Sequence, residues 1–247
     1  MRYICVLFDA GETLIGPRGS FGATYAEVLR PLGLDLPADA IERALRSVWT
    51  EMDGIVPRGM DRYRYFDGGE DGYWLRFARD TIERAAGRKV SSAFAAGALR
   101  RLREAFAARN AWEVFPDVVP TLTRLRDRGV RMGVVSNWDS RLPALLENLD
   151  LARFFGAVSV SHLEGVEKPA PELFLRALAS LHVLPEHSLV VGDTPELDLA
   201  GARAAGIDAA LVDRRGRYDP GLGALPDLLS VARIVEEGLS AAPRGPA

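Results

Sequence analysis

The chain has 247 residues, of which 48% are hydrophobic and 26% are charged. This is an ordinary composition for a folded protein and speaks against an intrinsically disordered chain. The formal net charge is −3 at pH 7, so no basic surplus indicates a nucleic acid or an anionic membrane as partner. No signal-peptide pattern and no apolar stretch of membrane-spanning length is present, and we expect a cytoplasmic protein.

The first predicted element is a strand, Tyr3–Phe8, which is apolar throughout and ends at Asp9. A short run of this kind is typical of a strand that is buried on both faces, as in a parallel sheet. It contains Cys5, the one cysteine of the chain, so no disulfide can form within the chain. We interpret Cys5 as a buried core thiol, because apolar surroundings raise a thiol pKa and make it inert.

Only helical periodicity follows, up to about residue 111. The predicted helices are Phe21–Leu32, Ala38–Thr50, Gly72–Ala86 and Ser92–Ala108. Because a crossover between two parallel strands needs only a dozen or so residues, we interpret 17–112 as an inserted, all-helical domain. Its predicted hinges are Gly16–Gly19 and Trp112–Pro116. The insert contains a polar aromatic loop, 57–72, in which Arg62, Tyr63, Arg64 and Tyr65, with Trp74 nearby, are candidate contacts for a leaving group or ordinary surface.

Strands and helices alternate in the rest of the chain. The strands are predicted at Val130–Val135, Phe155–Val160, Ser188–Val191 and Ala209–Val212. The helices are predicted at Pro120–Arg128, Arg141–Leu149, Pro171–Leu181 and Leu197–Ala205. This alternation predicts an α/β fold with a doubly wound parallel sheet, formed by 1–16 and 113–239. We expect 240–247 to be a disordered tail.

Polar clusters stand where four of the predicted strands end. In open α/β sheets, ligands bind at the carboxyl ends of the strands, so these clusters are expected to meet. Each cluster alone is also typical of an ordinary turn or surface, and their agreement in position carries the prediction. The clusters contain Asp9 with Thr13, Ser136 with Asn137, Lys168, and Asp193 with Asp198.

Each cluster predicts a chemical role. Asp9 leaves a buried strand and can attack an electrophile, because a carboxylate gives an intermediate that water can cleave. Ser136 and the backbone N–H groups after it suit a phosphate. Lys168, one of only two lysines in an arginine-rich chain, can balance the charge of Asp9 and of a phosphate, whereas Lys89 is expected on the surface. Asp193 and Asp198 offer the carboxylate oxygens that Mg²⁺ prefers.

Together the four clusters resemble the motifs of the haloacid dehalogenase (HAD) superfamily. The strand that ends in Asp9, followed by Thr13, resembles motif one. Ser136 resembles motif two, Lys168 motif three, and Asp193 with Asp198 motif four. The order agrees, and the helical insert is similar to the family's C1 cap.

The resemblance implies a role for each residue. Asp9 would be the nucleophile and form an aspartyl-phosphate. Ser136, Asn137 and Lys168 would hold the phosphoryl group of a small substrate, and Thr13 would support the motif-one loop. Mg²⁺ would be bound by Asp9, the Gly11 carbonyl oxygen and Asp193, with Asp198 mainly behind them. The implied function is that of a magnesium-dependent phosphatase.

Gly11 departs from this pattern. Phosphatases of the superfamily usually have a second Asp at this position, which protonates the leaving oxygen. General acid–base catalysis contributes typically about a hundredfold to ten-thousandfold. The neighbouring Glu12 is not expected to replace it, because it would not occupy the same place.

Two alternatives follow from Gly11. A 2-haloacid dehalogenase also lacks the second Asp, since a halide needs no proton, but it uses no Mg²⁺ and its fourth motif differs. A weakly active or non-catalytic relative would bind a partner or metabolite, which the retention of Asp9, Ser136, Lys168 and Asp193 speaks against. His162, His182 and His187 show no metal-binding spacing and are expected to be ordinary surface or helix-end residues.

Overall fold

A computed structural model describes residues 2–238 of the chain. The predicted tail, 240–247, lies outside these residues. The described chain divides into two compact units. The core unit comprises 2–16, 58–60 and 114–238, and the helical unit comprises Pro17–Pro57 and Asp61–Glu113. The function of the helical unit as a cap stays a prediction.

A parallel sheet of five strands is the base of the core unit. The strands of the described chain are β1 (Cys5–Phe8), β2 (Ile15–Pro17), β3 (Trp112–Val114), β4 (Arg131–Ser136), β5 (Ala157–Val160), β6 (Ser188–Gly192) and β7 (Asp208–Leu211). The sheet has the order β5-β4-β1-β6-β7, and β2 pairs with β3 separately. Because later strands are added on both sides of β1, the predicted doubly wound parallel sheet is confirmed.

The register of the sheet brings the ends of three strands together. Phe8 pairs with Val134 of β4 on one side and with Val191 of β6 on the other. The residues that follow these positions, Asp9 among them, therefore leave the sheet at one common edge.

Ten α-helices are described in residues 2–238. They are α1 (Phe21–Leu29), α2 (Ala38–Asp53), α3 (Gly69–Ala86), α4 (Ser92–Ala107), α5 (Val118–Arg126), α6 (Leu142–Asn148), α7 (Ser161–Glu164), α8 (Pro171–Leu181), α9 (Ala200–Ala204) and α10 (Leu228–Glu237). None of them is both long and apolar enough to cross a bilayer. In the core unit, α8 packs against β4 and β5, and α10 packs against α5.

The helical unit contains α1 to α4 and has its own apolar core, with Leu29, Ile41, Met52, Tyr73 and Ile82 fully or almost fully buried. The first predicted helix, Phe21–Leu32, ends earlier than expected. Its last residues form a 3₁₀ turn, Arg30–Leu32, because the Pro31 nitrogen carries no hydrogen for a helical bond.

Two residues of the polar aromatic loop do not lie on the surface, and their contact with a leaving group stays a prediction. Arg62 and Tyr63 are buried rather than exposed. Tyr63 packs edge-on against Tyr73, with ring centroids 5.1 Å apart, and the Arg62 guanidinium stacks over the Trp49 ring at 5.0 Å. Both side chains are thus parts of the interior of the helical unit, whereas Arg64 and Tyr65 are exposed.

Candidate active site

Asp9 stands directly after β1, and its carboxylate is held by two donors. Its N–H group continues the ladder to β6 by donating to the Val191 carbonyl oxygen, at 2.8 Å. The Ser136 hydroxyl and the Lys168 ammonium donate to the same oxygen, Oδ1, at 2.9 and 2.6 Å. The residue is only 8% exposed. Among the described residues, none donates a hydrogen bond to Oδ2, which leaves this oxygen available for an electrophile or a metal ion.

Lys168 joins two buried carboxylates. Its Nζ donates to Asp9 and, at 2.7 Å, to Oδ1 of Asp198, and its side chain is 3% exposed. Burial alone would lower the Lys168 pKa, but the Asp198 and Asp9 carboxylates outweigh burial and raise this pKa above its ordinary value. The ammonium therefore stays charged at neutral pH.

The Asn137 side chain fixes the backbone of Lys168. Its Oδ1 accepts the Lys168 N–H at 2.7 Å, and its Nδ2 donates to the Lys168 carbonyl oxygen at 3.1 Å. These two bonds connect the end of β4 to the loop before α8. The Asn137 side chain thus positions Lys168, and the predicted role of its backbone N–H in substrate binding stays a prediction.

Three buried carboxylates form the candidate metal site. One ligand oxygen each from Asp9, Asp193 and Asp198 lies within 4.8 Å of the others. Burial, and next the charge of Asp9, raise the pKa of Asp193 to about 6. Burial also raises the pKa of Asp198, against the opposing effect of Lys168. The raised pKa values of both carboxyls thus reflect first of all their removal from water.

The close approach of Asp198 depends on Gly192. A β-carbon on Gly192 would lie only 2.1 Å from Cγ of Asp198, so any larger residue would displace this carboxylate. Asp198 lies in a π-helical turn, Pro195–Leu199, ahead of α9. The predicted single helix, Leu197–Ala205, is therefore wrong at its start, and such π-helical turns are frequent at functional sites. The Thr194 N–H donates to Oδ2 of Asp198 at 3.0 Å.

The chemistry of this donor set fits Mg²⁺. The ion prefers oxygen ligands and usually combines one or two carboxylates with waters and substrate phosphate oxygens. Asp9, Asp193 and Asp198 provide such carboxylates, buried and close together. The predicted contribution of the Gly11 carbonyl oxygen stays a prediction.

The space beside Gly11 is taken by an aromatic ring. A β-carbon on Gly11 would lie 3.3 Å from Cζ3 of Trp138, which is tighter than ordinary van der Waals contact. The Trp138 backbone is fixed, since its N–H donates to the Ser161 hydroxyl at 3.1 Å and its carbonyl oxygen accepts from the same hydroxyl. The adjacent Glu12 forms an ion pair with Arg215 at 2.8 Å. That Glu12 does not replace an acid at position 11 stays a prediction.

Thr13 is fully buried, and its backbone is held by an arginine. The Arg214 guanidinium donates to the Thr13 carbonyl oxygen at 2.8 Å and forms two hydrogen bonds with the Asp117 carboxylate, at 2.9 and 3.0 Å. It also stacks over the Phe115 ring at 4.3 Å. The Thr13 hydroxyl has no hydrogen-bond partner among the described residues. Arg214 thus ties the loop after Asp9 to the start of α5.

Arg217 reaches the candidate metal site. Its Nη2 donates to Oδ2 of Asp193 at 2.8 Å.

The sequence analysis did not identify three residues of the site, Arg214, Arg217 and Trp138. For the arginines a signal existed, since Asp213-Arg-Arg-Gly-Arg217 follows the predicted fifth strand just as the recognised clusters follow theirs. Nothing in the sequence pairs Trp138 with Gly11.

Two residues that we predicted to lie outside the site do so. Lys89 has a 91% exposed side chain and forms an ion pair with Glu83 at 2.7 Å. Cys5 is fully buried, and burial raises its thiol pKa to about 11. Both expectations are confirmed.

Comparison with known proteins assigns the family. A family model described as haloacid dehalogenase-like hydrolase matches residues 4–206. The chain belongs to this family. Among the curated relatives of this haloacid dehalogenase-like hydrolase, the human haloacid dehalogenase-like hydrolase domain-containing protein 3 is 31% identical over 214 residues, which cover 86% of this chain and 83% of that protein. The phosphoserine phosphatase of Thermus thermophilus is 36% identical over 156 residues, 62% of this chain and 59% of that protein.

Solved structures of the family share the fold. A HAD-family protein from Bacillus subtilis bound to magnesium superposes with a TM-score of 0.71 at 20% identity and covers 96% of this chain and 100% of that chain. A 2-haloacid dehalogenase from Pseudomonas syringae superposes with a TM-score of 0.63 at 22% identity, over 96% and 99% of the two chains. At these identities the likeness shows the fold alone, and does not separate phosphatases from dehalogenases.

Proposed function

We propose that this haloacid dehalogenase-like hydrolase is a magnesium-dependent phosphatase that acts on a small phosphorylated metabolite through an aspartyl-phosphate on Asp9. The observation that carries the proposal is the position of Lys168, whose ammonium donates to Asp9 at 2.6 Å and to Asp198 at 2.7 Å. The Lys168 ammonium is thus a buried positive charge, held in place beside the nucleophile. Phosphoryl transfer needs such charge more than it needs covalent assistance.

We propose a phosphate ester rather than a halogenated acid as substrate because two further carboxylates lie beside the nucleophile. Asp193 and Asp198 lie beside Asp9, and together they suit a divalent cation that also takes phosphate oxygens. A halide substrate would find no use for such a cation. The relative from Thermus thermophilus that is named phosphoserine phosphatase also supports a phosphate ester.

The substrate would be held by residues at the end of β4 and by Lys168. Ser136 would turn its hydroxyl from Asp9 to a phosphoryl oxygen, and the N–H of Asn137 would donate to another. Because the Asn137 side chain fixes the backbone of Lys168 at 2.7 and 3.1 Å, these groups form one rigid set. Such preorganised donors stabilise charge as it develops in the transition state.

The proposed reaction has two steps. A carboxylate oxygen of Asp9 attacks the phosphorus, and the bond between phosphorus and the ester oxygen breaks. The ester oxygen leaves with its electron pair and takes a proton from water. A second water then attacks the phosphorus of the aspartyl-phosphate, which releases inorganic phosphate and restores the Asp9 carboxylate.

Mg²⁺ would be held by Asp9, Asp193 and the carbonyl oxygen of Gly11, with Asp198 behind them. When bound, the ion supplies neutralisation of the negative charge on the phosphoryl oxygens. We propose small metabolites rather than nucleic acids as substrates because the chain carries a net charge of −3. We also propose a cytoplasmic location, which the single cysteine supports, since disulfides are typical of secreted proteins.

A phosphate-release screen tests the proposal. Purified protein is incubated with a panel of phosphorylated metabolites, with MgCl₂ or with EDTA. We expect release in Mg²⁺ only, and none in Asp9→Asn. Glu12→Gln is the matched control, since Glu12 is an acid in the same loop but pairs with Arg215, and it should retain activity. Halide release from 2-haloacids in EDTA would instead favour the dehalogenase alternative.

A further inference from the structure

A positive charge that the proposed mechanism does not use stands at the candidate metal site. Nη2 of Arg217 lies 2.8 Å from Oδ2 of Asp193 and 3.4 Å from the Asp193 carbonyl oxygen. Asp193 is one of the three clustered carboxylates. A side-chain cation thus contacts an oxygen of a candidate metal ligand.

The charges of the cluster explain why a second cation is there. Lys168 donates to Asp9 and Asp198, which leaves Asp193 to be neutralised by another group. An unpaired carboxylate in a buried position is costly, and Arg217 provides the counterion. The two cations differ in burial, because the Lys168 side chain is 3% exposed and the Arg217 side chain 40% exposed. Lys168 is fixed inside the site, while Arg217 reaches in from the solvent.

Arg217 has a second carboxylate within reach. Its Nε lies 3.8 Å from Oδ1 of Asp213, whose side chain is only 6% exposed. Asp213 is held in place by the backbone N–H groups of Tyr218 and Arg215, which donate to it at 2.8 and 3.3 Å. The guanidinium lies near both carboxylates at once, so it can leave Asp193 without losing a charged partner.

We propose that Arg217 is a positioning residue of the metal site that neutralises Asp193 in the metal-free protein and moves to Asp213 when Asp193 takes a divalent cation. This inference rests on the proposed function, which assigns Asp193 to the metal. The Arg217 guanidinium competes with Mg²⁺ for the Asp193 carboxylate. The cation must displace it, so Arg217 influences the concentration of Mg²⁺ at which the site fills. Asp213 makes the displacement easier by receiving the guanidinium.

Magnesium affinity, measured by isothermal titration calorimetry with MgCl₂ on substrate-free protein, tests this role without any turnover. Arg217→Gln should bind Mg²⁺ about fivefold more tightly than the wild type, which corresponds to about 1 kcal/mol. The matched control is Arg215→Gln, because it removes the same charge from the same loop. Arg215 is exposed and pairs with Glu12, so its replacement should change the affinity by less than about twofold, through screened long-range charge only.

Substitution of Asp213 should change the Mg²⁺ affinity in the opposite direction. Asp213→Asn keeps one acceptor oxygen, which suffices for the shorter bond from the Tyr218 N–H, and loses the longer one from the Arg215 N–H. It removes the charge of the alternative partner of Arg217, so it should bind Mg²⁺ less tightly than the wild type. The double variant of Arg217→Gln and Asp213→Asn should bind as Arg217→Gln does, because the two residues act through one contact.

Two results would overturn this role of Arg217: unchanged or weaker Mg²⁺ binding in Arg217→Gln, or an equal gain in Arg217→Gln and Arg215→Gln. Failure of the proposed function looks different. It would appear as Mg²⁺ binding that is the same in the wild type and in Asp193→Asn, or as an absence of binding in every variant.

Discussion

The indole ring of Trp138 lies against Gly11, where a β-carbon would come within 3.3 Å of Cζ3. Gly11 does not have a positive φ, so the backbone accepts a side chain at this position and the neighbouring ring is what resists it. The absence of a carboxylate at position 11 thus involves both Gly11 and Trp138. A side chain at position 11 needs the ring at position 138 to shift by a few tenths of an ångström, and a smaller residue there provides that room.

We expect a steep dependence of rate on the pKa of the leaving group, because nothing at Gly11 can protonate the departing oxygen. The double variant Gly11→Asp with Trp138→Ala should flatten this dependence and accelerate a substrate with a poor leaving group by about a hundredfold, the lower range for general acid catalysis. Turnover of a series of aryl and alkyl phosphates measures the slope. Trp138→Ala alone is the control and should stay steep. A flat wild-type series would mean that another acid serves the site.

The two lysines of the chain provide a matched comparison of stability. Lys168→Met leaves Asp9 and Asp198 buried without their shared counterion and should lower the free energy of unfolding by about 3 kcal/mol at neutral pH. Lys89→Met removes an ion pair whose lysine is 91% exposed and should cost less than about 1 kcal/mol. Urea denaturation in EDTA measures both. Equal losses in the two variants would show that the buried ammonium does not stabilise the site.

Magnesium binding should depend on pH through Asp193. Burial and the charge of Asp9 raise the pKa of this carboxyl from 3.8 to about 6, so below about pH 6 the metal-free protein holds a proton there that Mg²⁺ must displace. Affinity should be constant well above pH 6 and fall below it, by up to about tenfold per pH unit for one proton. Calorimetric titrations across this range measure the fall. Undiminished affinity well below pH 6 would contradict a role for Asp193 as ligand.

The raised pKa of Asp193 also determines whether the stability of the metal-free protein rises or falls with pH. A raised carboxyl pKa means that the folded, metal-free protein binds more protons than the unfolded chain between pH 3.8 and about 6. The favourable contribution of the protonated group is therefore present at low pH and is lost as the pH rises through this window. Asp193→Asn, which cannot ionise, should show a smaller loss of stability over this interval in EDTA.

Arg214 should matter for both stability and turnover. Its side chain is 13% exposed and that of its partner Asp117 is 10% exposed, so Arg214→Gln leaves a nearly buried carboxylate unpaired and should cost about 3 kcal/mol. It also frees the Thr13 carbonyl oxygen, which loosens the loop after Asp9 and should lower kcat more than it raises KM. Arg215→Gln, at an exposed position of the same loop, should change neither. Unfolding curves and steady-state kinetics report the two effects, and identical behaviour of the two variants would contradict the role of Arg214.

The sheet and the central residues of the site could be predicted because they follow from local pattern. Runs that are apolar throughout predict strands buried on both faces, and parallel strands that are buried together end at one edge. That reasoning brings Asp9, Ser136 and Asp193 to one place before any contact is known. The structure joins Asp9 to Ser136 and Lys168 by hydrogen bonds of 2.9 and 2.6 Å.

What the sequence did not predict depends on contacts between distant segments. No local pattern distinguishes Arg217, which contacts a site carboxylate, from Arg215, which is exposed, since both belong to one polar run. The burial of Tyr63 depends likewise on Tyr73, a partner supplied by α3. The π-helical turn at Pro195–Leu199, which contains Asp198, is likewise not indicated by the helical periodicity of the sequence.

Phosphoryl transfer to Asp9 is tested most directly by rapid-quench mass spectrometry. Protein mixed with Mg²⁺ and a turned-over phosphate ester is quenched in acid, digested and analysed for the peptide that contains Asp9. We expect the added mass of one phosphoryl group on Asp9 during turnover, its disappearance once substrate is exhausted, and neither label nor turnover in Asp9→Asn. Turnover without a phosphorylated Asp9 peptide, together with substantial activity in Asp9→Asn, would contradict the covalent mechanism.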